Sequence, residues 1–217
     1  MTCRRRALKR LSAHWAAGLT LIELMVVMAV AAIILGLAAP SFSDYIVTQR
    51  LRSIHAQLAT DLQLARSEAV ARSAFVSVRF QEVAGTGGLT CYVIFTRRDP
   101  TIAVPSPGTA DTCDCTAVPG ARCNSHPDTT TEVRSVTIPR ELKVSVLTPA
   151  GQTTTVSFDG RTGALRVPTA DTTILVANGF QIDTSADTSR SLRALIRPSG
   201  RAELCTPTGS VLGGTPC

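Results

Sequence analysis

"AAGLTLIELMVVMAVAAIILGLAAPSF", residues 16–42, is the stretch on which the fold turns. It is long and apolar enough to cross a bilayer, for which about 20 residues suffice, yet it carries one acid, Glu23, near its start. Arg4, Arg5, Arg6, Lys9 and Arg10 form a basic head before it, and no acid precedes Glu23. Three readings compete. A basic head and an apolar run make a secretory signal, with a small-residue cleavage site near Leu37-Ala38-Ala39. The run is longer than the roughly 7–15 apolar residues usual in a signal, and Pro40 would follow the cut. A plain anchor with its basic end in the cytoplasm leaves Glu23 unexplained. A carboxylate at the centre of a spanning helix costs roughly 2.5–3.5 kcal/mol on insertion scales, less near an end, and usually has a partner. Cleavage after Gly18 supplies that partner. The new amine of Leu19 stands at the top of a helix, and Glu23 lies about one turn further on. Glu23 of one subunit can then pair with the amine of another, and burial makes the pair orientation-specific, setting the axial stagger of neighbouring helices.

These residues resemble the type IV pilin-like family: Gly18, then Leu19-Thr20-Leu21-Ile22-Glu23, then an apolar helix. The family often has Phe where this chain has Leu19. The resemblance implies that a prepilin peptidase cleaves after Gly18 and methylates Leu19, and that Glu23 guides subunit docking. It also implies a single pass through the bacterial inner membrane with the head in the periplasm. The implied partners are other minor pilins or pseudopilins and the inner-membrane assembly platform. Pro40 stands 22 residues after Gly18, where pilins commonly have a proline. Physically it removes a helix hydrogen bond and permits a kink.

The charge fits this division. Of the 22 Lys and Arg, five precede Gly18, while none of the 16 Asp and Glu does, so the formal +6 belongs mainly to the leader. It is weak ground for a nucleic-acid partner. Beyond the leader there is one lysine, Lys143, and the aromatic share of the whole chain is 4%. Any core must therefore rest on Val, Leu, Ile and Ala.

Beyond Pro40 an apolar period of three and four, Leu51, Ile54, Leu58, Leu62, Ala65 and Ala69, continues the helix. Arg50, Arg52, Gln57, Asp61, Gln63 and Arg66 are assigned to its other face. After Ser73 the period changes to strand-like alternation, beginning with Val76, Val78 and Phe80. Further strands are expected at 89–95, 133–138, 142–147, 154–158, 164–167, 174–176 and 192–196. Turn signals stand at Gly85-Thr86-Gly87-Gly88, Asp159-Gly160 and Asn178-Gly179. The expected organisation is a leader at 1–18, a transmembrane helix at 19–42, its amphipathic continuation at 43–73, and a β-rich head at 74–217 with a Cys-rich loop at about 99–131. The fold class is α+β, one long helix packed on antiparallel strands in the manner of a pilin.

Two further stretches narrow the resemblance. Leu58–Val78, "LATDLQLARSEAVARSAFVSV", is similar to the helix-to-strand junction of the branch holding GspH-type minor pseudopilins and FimT/FimU-like minor pilins. The ending "IRPSGRAELC", Ile196–Cys205, resembles the FimT/FimU end, where Gly-Arg precedes a late cysteine.

Cys3 belongs to the leader; Cys91, Cys113, Cys115, Cys123, Cys205 and Cys217 remain. An even count in a head outside the cytoplasm points to disulfides. Cys205–Cys217 is the favoured pair, because it closes a Thr/Pro/Gly loop that core burial cannot hold. The other four are expected to staple the 99–131 loop to the strand bearing Cys91. The rival is zinc held by Cys113, Cys115, Cys123 and His126, a spacing outside the strong zinc patterns; no metal or cofactor is expected.

Nucleophile-elbow, phosphate-loop and zinc-hydrolase signatures are missing. His55 on the helix reads as a packing or surface residue, and Asp183 and Asp187 as solvated acids rather than a calcium loop. Arg190, Arg193, Arg197 and Arg201 crowd the end of the chain, which raises DNA binding. FimT-like DNA receptors carry Gly-Arg-x-Arg, but Gly200-Arg201-Ala202-Glu203 has an acid at the second arginine, and no aromatic follows Phe180 as a stacking platform. These arginines, with Arg193, Arg197 and Arg201 as the candidate DNA contacts, are instead expected to lie at strand edges with Asp183, Asp187 and Glu203 as partners.

The expectation is a minor pilin of the tip or initiation complex in type IV pilus biogenesis, without catalysis. The alternatives are an H-type pseudopilin of type II secretion, a pilus-displayed DNA receptor, and a secreted enzyme with an ordinary signal peptide.

Overall fold

The structure, a computed structural model, describes residues 20–83, 88–97, 113–123, 130–148, 154–168, 173–175, 179–207 and 215–217; at 37–41, 89, 97, 167–168 and 173–175 it describes the backbone alone. The chain divides into two compact units, 1–43 and 44–217.

Helix α1 (Leu21–Arg72) begins in the first unit and passes through Pro40 into the second. In the first unit its described side chains are large and uncovered: Leu21, Ile22, Leu24, Met25 and Ile33 are all more than half exposed. Among the described residues no helix is long and apolar enough to cross a membrane. Leu19, at the head of the expected span, lies outside the described residues, as does the whole 1–18 leader.

In the second unit α1 lies on an antiparallel sheet. Its strands are β1 (Val76–Glu82), β2 (Leu89–Arg97), β3 (Thr130–Thr137), β4 (Ser145–Leu147), β5 (Thr155–Phe158), β6 (Leu165–Pro168), β7 (Thr173–Leu175), β8 (Phe180–Ser185), β9 (Ser191–Ile196) and β10 (Ala202–Cys205). Their order is β10-β9-β8-β4-β2-β1-β5-β6-β7. β3 and β4 share one edge of β2, β3 along Cys91–Arg97 and β4 at Leu89.

The apolar stripe of α1 makes the core. Leu51, Leu58, Leu62, Ala65 and Ala69 are fully buried, in one cluster with Val76, Val78 and Phe80 of β1, Tyr92 and Ile94 of β2, and Phe180 and Ile182 of β8. Each buried Leu of this stripe contributes about 1.5–3 kcal/mol. The helix stops at Arg72 because Ser73 turns left-handed (φ 50°), with its N–H bonding the Val70 carbonyl and Ala74 N–H the Ala69 carbonyl. Gly160 fits under this corner, where a Cβ would overlap the backbone of Ser73 and Ala74.

Strand alternation puts a second set of residues on the opposite face. Cys91, Val93 and Phe95 of β2 form a separate buried cluster there with Cys113 and Cys115. The central sheet is thus covered on both sides, by the helix and by the Cys-rich segment 113–123.

Several expectations need correction. Asp61, assigned to the solvent face, is 1% exposed and bonded inside the core. Residues 142–147 are not one strand: Pro139 leads into a 3-10 turn at Arg140–Leu142, Lys143 is left-handed (φ 53°), and only Ser145–Leu147 pairs. The loop expected to reach residue 131 ends earlier, since β3 starts at Thr130. β8 and β10 were not anticipated, because Phe180-Gln181-Ile182-Asp183-Thr184-Ser185 and Ala202-Glu203-Leu204-Cys205 are too polar to stand out as strands. The turns at 84–87 and Asn178, and residue 176, lie outside the described residues.

Candidate functional site

Gly18 and Leu19, the expected processing residues, lie outside the described residues. The helix start that follows them is described. Glu23 N–H donates to Thr20 Oγ1 at 3.3 Å, and Leu24 N–H to the Thr20 carbonyl at 3.1 Å. Thr20 is therefore the helix cap, and Glu23 stands in the first turn, where the helix dipole favours an acid. The Thr20-x-x-Glu23 spacing is the sequence signal of a capping box. Glu23 is exposed within its unit.

Two polar side chains on the buried stripe of α1 fix the helix over the sheet. Tyr92 Oη donates to Asp61 Oδ2 at 2.7 Å, and Arg134 Nη1 of β3 lies 3.1 Å from Asp61 Oδ1. Burial, then the bond to Asp61, pushes the Tyr92 hydroxyl far above its ordinary range. Further toward the helix start, His55 is 4% exposed, with Nδ1 3.1 Å from Thr184 Oγ1 of β8. A shift of the helix along the sheet would leave both groups buried without these partners, which disfavours other registers.

The cysteines pair as Cys91–Cys115, Cys113–Cys123 and Cys205–Cys217. The first ties the 113–123 segment to β2 and the second closes the segment on itself. Asp114 organises the turn: its Oδ1 accepts from Thr116 N, Thr116 Oγ1 and Gln81 Nε2 at 2.8, 2.7 and 3.0 Å. Burial alone would raise its pKa, but these bonds together hold the carboxyl below its ordinary value. Gln81 Oε1 accepts from Cys115 N at 2.7 Å, and Arg122 bridges to Glu132 of β3 at 3.1 Å. The sulfurs proposed for zinc are thus engaged in disulfides, and His126 lies outside the described residues. Among the described residues no cluster of three or more potential metal ligands occurs.

At the end of the chain each arginine but one meets a carboxylate. Arg193 holds Asp183 through two bonds of 2.7 Å, Arg197 Nη2 is 2.7 Å from Glu203, and Arg190 binds Asp187 at 2.6 Å and Asp44 of α1 at 3.3 Å. The Arg190 hydrogen bond holds the Asp187 carboxyl down at about 2. Arg201 is exposed and feels Glu203 only at longer range. Gly200 is a backbone requirement, with φ +79° and a Cβ position that overlaps the Gly163 carbonyl oxygen and crowds Arg66. Arg66 Nε in turn donates to that carbonyl at 3.2 Å. Phosphates at this end would meet Arg201 directly but would compete with Asp44, Asp187, Asp183 and Glu203 for the other three arginines. A soluble head starting near Ser43 is expected to bind DNA weakly at about 50 mM salt and not measurably at about 150 mM. Binding that survives the higher salt and disappears in Arg197→Ala/Arg201→Ala would overturn that expectation; an anisotropy titration reads it.

Solved structures similar to this chain are the Pseudomonas aeruginosa (strain PAO1) type IV minor pilin FimU in two crystal forms. In space group P65 the TM-score is 0.44 at 15% identity, covering 74% of this chain and 99% of that one; in P21 it is 0.46 at 16%, covering 75% and 96%. A search of curated protein sequences returns no match. Residues 16–39 match the prokaryotic N-terminal methylation motif, which spans Gly18, Thr20 and Glu23. Residues 56–200, from the residue after His55 to Gly200, match the family described as type II transport protein GspH. The chain belongs to that GspH family and is a minor pilin or pseudopilin, with a prepilin-type N-terminus.

Proposed function

We propose that the chain is a minor pilin of the tip or initiation complex of a type IV pilus, acting by assembly and with no chemistry of its own. In this reading residues 1–18 are removed by prepilin peptidase, 19–42 span the bacterial inner membrane, 43–72 carry the head, and the head stands in the periplasm. The observation that carries it is the start of α1, where Thr20 caps the helix and Glu23 projects from its first turn into an uncovered apolar run. In an assembly of such helices this places a carboxylate where a neighbour's amine would relieve its burial. The partners are other minor pilins and the assembly platform. Pro40 marks the point where the helix is free to bend. The FimT/FimU-like ending supports a place in a pilus; the GspH description supports the second reading, a pseudopilin of type II secretion.

Intact-mass and N-terminal peptide analysis of membrane fractions is the test. The mature chain is expected to begin at methylated Leu19, and Gly18→Ala to leave most of it uncleaved. Glu23→Leu is expected to insert normally but to lose crosslinks to partner pilins. A mature terminus at Pro40 with protein free in the periplasm would refute the assignment. The identity of the crosslinked partners, pilus or secretion components, separates the two readings.

A further inference from the structure

We propose that the seat of His55, where α1 meets β8 and β9, is an acid-sensitive latch: the neutral ring holds the helix on the sheet, and a proton added to the ring loosens that joint. One hydrogen bond to the ring is formed, and the Arg193 backbone, which would favour a protonated ring, lies nearby without completing a second. Nδ1 faces Thr184 Oγ1 at 3.1 Å, while Nε2 is buried and without a hydrogen-bond partner. A neutral imidazole tolerates this, since Nδ1–H can donate to the hydroxyl and Nε2 keeps only a bare lone pair. An imidazolium carries two N–H donors. Its Nε2–H would be buried without an acceptor in bonding geometry, next to a charge without a contacting counter-ion.

The charged groups around the ring do not supply one. On β8, Asp183 has both oxygens taken by Arg193 of β9, each at 2.7 Å. On α1, Arg52 is exposed and Asp61 is committed to Tyr92 and Arg134. Burial accordingly pushes the His55 pKa down to about 4, against the weaker opposing pull of Asp183 and of the Arg193 backbone. The sign follows from where the proton binds better. An unfolded His55 takes it up near pH 6.5 and the folded one near 4, so the stabilisation is complete above about 6.5 and is lost as the pH falls toward 4. The folding equilibrium changes by roughly two orders of magnitude across that window. The loss is focused where the helix is tied to strands more than a hundred residues later in the chain, with Thr184 129 positions from His55. Acidification of the surrounding medium would therefore act on the helix–head joint before the disulfide-held part of the sheet.

The full chain in detergent micelles tests this by amide hydrogen exchange, corrected for the intrinsic effect of pH, between pH 7 and 4.5. The amides of 51–58 and of β8–β9 are expected to open at least tenfold more readily at the lower pH, while those of β1 and β2 change little. In His55→Gln the pH dependence over this window should flatten. NMR titration of the ring in the unmodified protein gives a readout that does not depend on the variant folding. A ring that titrates near 6.5 with no change in exchange at the joint overturns the proposal. Parallel pH profiles for the unmodified protein and His55→Gln overturn it as well.

Discussion

Asp61→Ala should lower the stability of the head by about 3 kcal/mol, among the largest losses of any single side-chain truncation on the helix. Asp61 is 1% exposed, and its carboxylate is the partner of a buried tyrosine hydroxyl at 2.7 Å. Truncation orphans Tyr92 Oη in a site closed to water, and an unmade buried hydrogen bond costs about 1–3 kcal/mol. It also releases Arg134. Arg134 adds little to the loss, since its side chain is 45% exposed and can turn to water. A double-mutant cycle separates these contributions. Tyr92→Phe alone strands the carboxylate, whereas Asp61→Leu/Tyr92→Phe removes both polar partners and should recover most of the stability. Urea denaturation of the head measures all three variants. If Asp61→Ala costs less than about 1 kcal/mol, Asp61 is not the register pin described above.

Removing the Cys91–Cys115 bridge as a Cys91→Ala/Cys115→Ala pair is expected to cost a further class of stability, about 3 kcal/mol from loop closure alone. The bridge spans 24 residues, and its two ends are 1% and 3% exposed. Its loss also loosens the cover over Val93 and Phe95, so the total should exceed the loop-closure figure. The Cys205→Ala/Cys217→Ala pair closes only 12 residues, near an exposed terminus, and should cost less. Guanidinium titration of oxidised and reduced protein measures the difference, and limited proteolysis should cut between 113 and 123 in the first pair only. Equal losses for both pairs would mean that the second core contributes nothing.

How far the chain could be read follows from its physics. The helix was legible because Leu51, Leu58, Leu62, Ala65 and Ala69 repeat at a helical period over several turns. β1 and β2 were legible because Val, Ile and Phe alternate or run together there. β8 and β10 were not: in β8 Gln181, Asp183 and Ser185 interrupt the inward Phe180, Ile182 and Thr184, and no side chain of β10 is fully buried. Asp61 was misassigned for a different reason. Helical periodicity puts it on the face of Leu58 and Ala65; its charge alone argued for the solvent side, and the partner that lets a carboxylate lie inside, Tyr92, is 31 positions away. Thr20 could have been found from its spacing to Glu23. Asp114 offered no signal before Gln81 and Thr116 were seen to converge on it.

The helix of the head is closed by the last parts of the chain to be made. His55 waits for Thr184, Arg66 for Gly163, and Asp44 for Arg190, 146 positions downstream. During vectorial synthesis the apolar stripe of α1 therefore emerges long before β8 and β9 exist to cover it. A topology with this much non-local pairing folds slowly and exposes sticky surface meanwhile. An apolar N-terminal segment lodged in a bilayer changes that search, because it holds the start of the helix still while the strands arrive one after another. An N-terminus held in a membrane would thus also act as a tether for folding, and the head made without it should refold more slowly than the full chain.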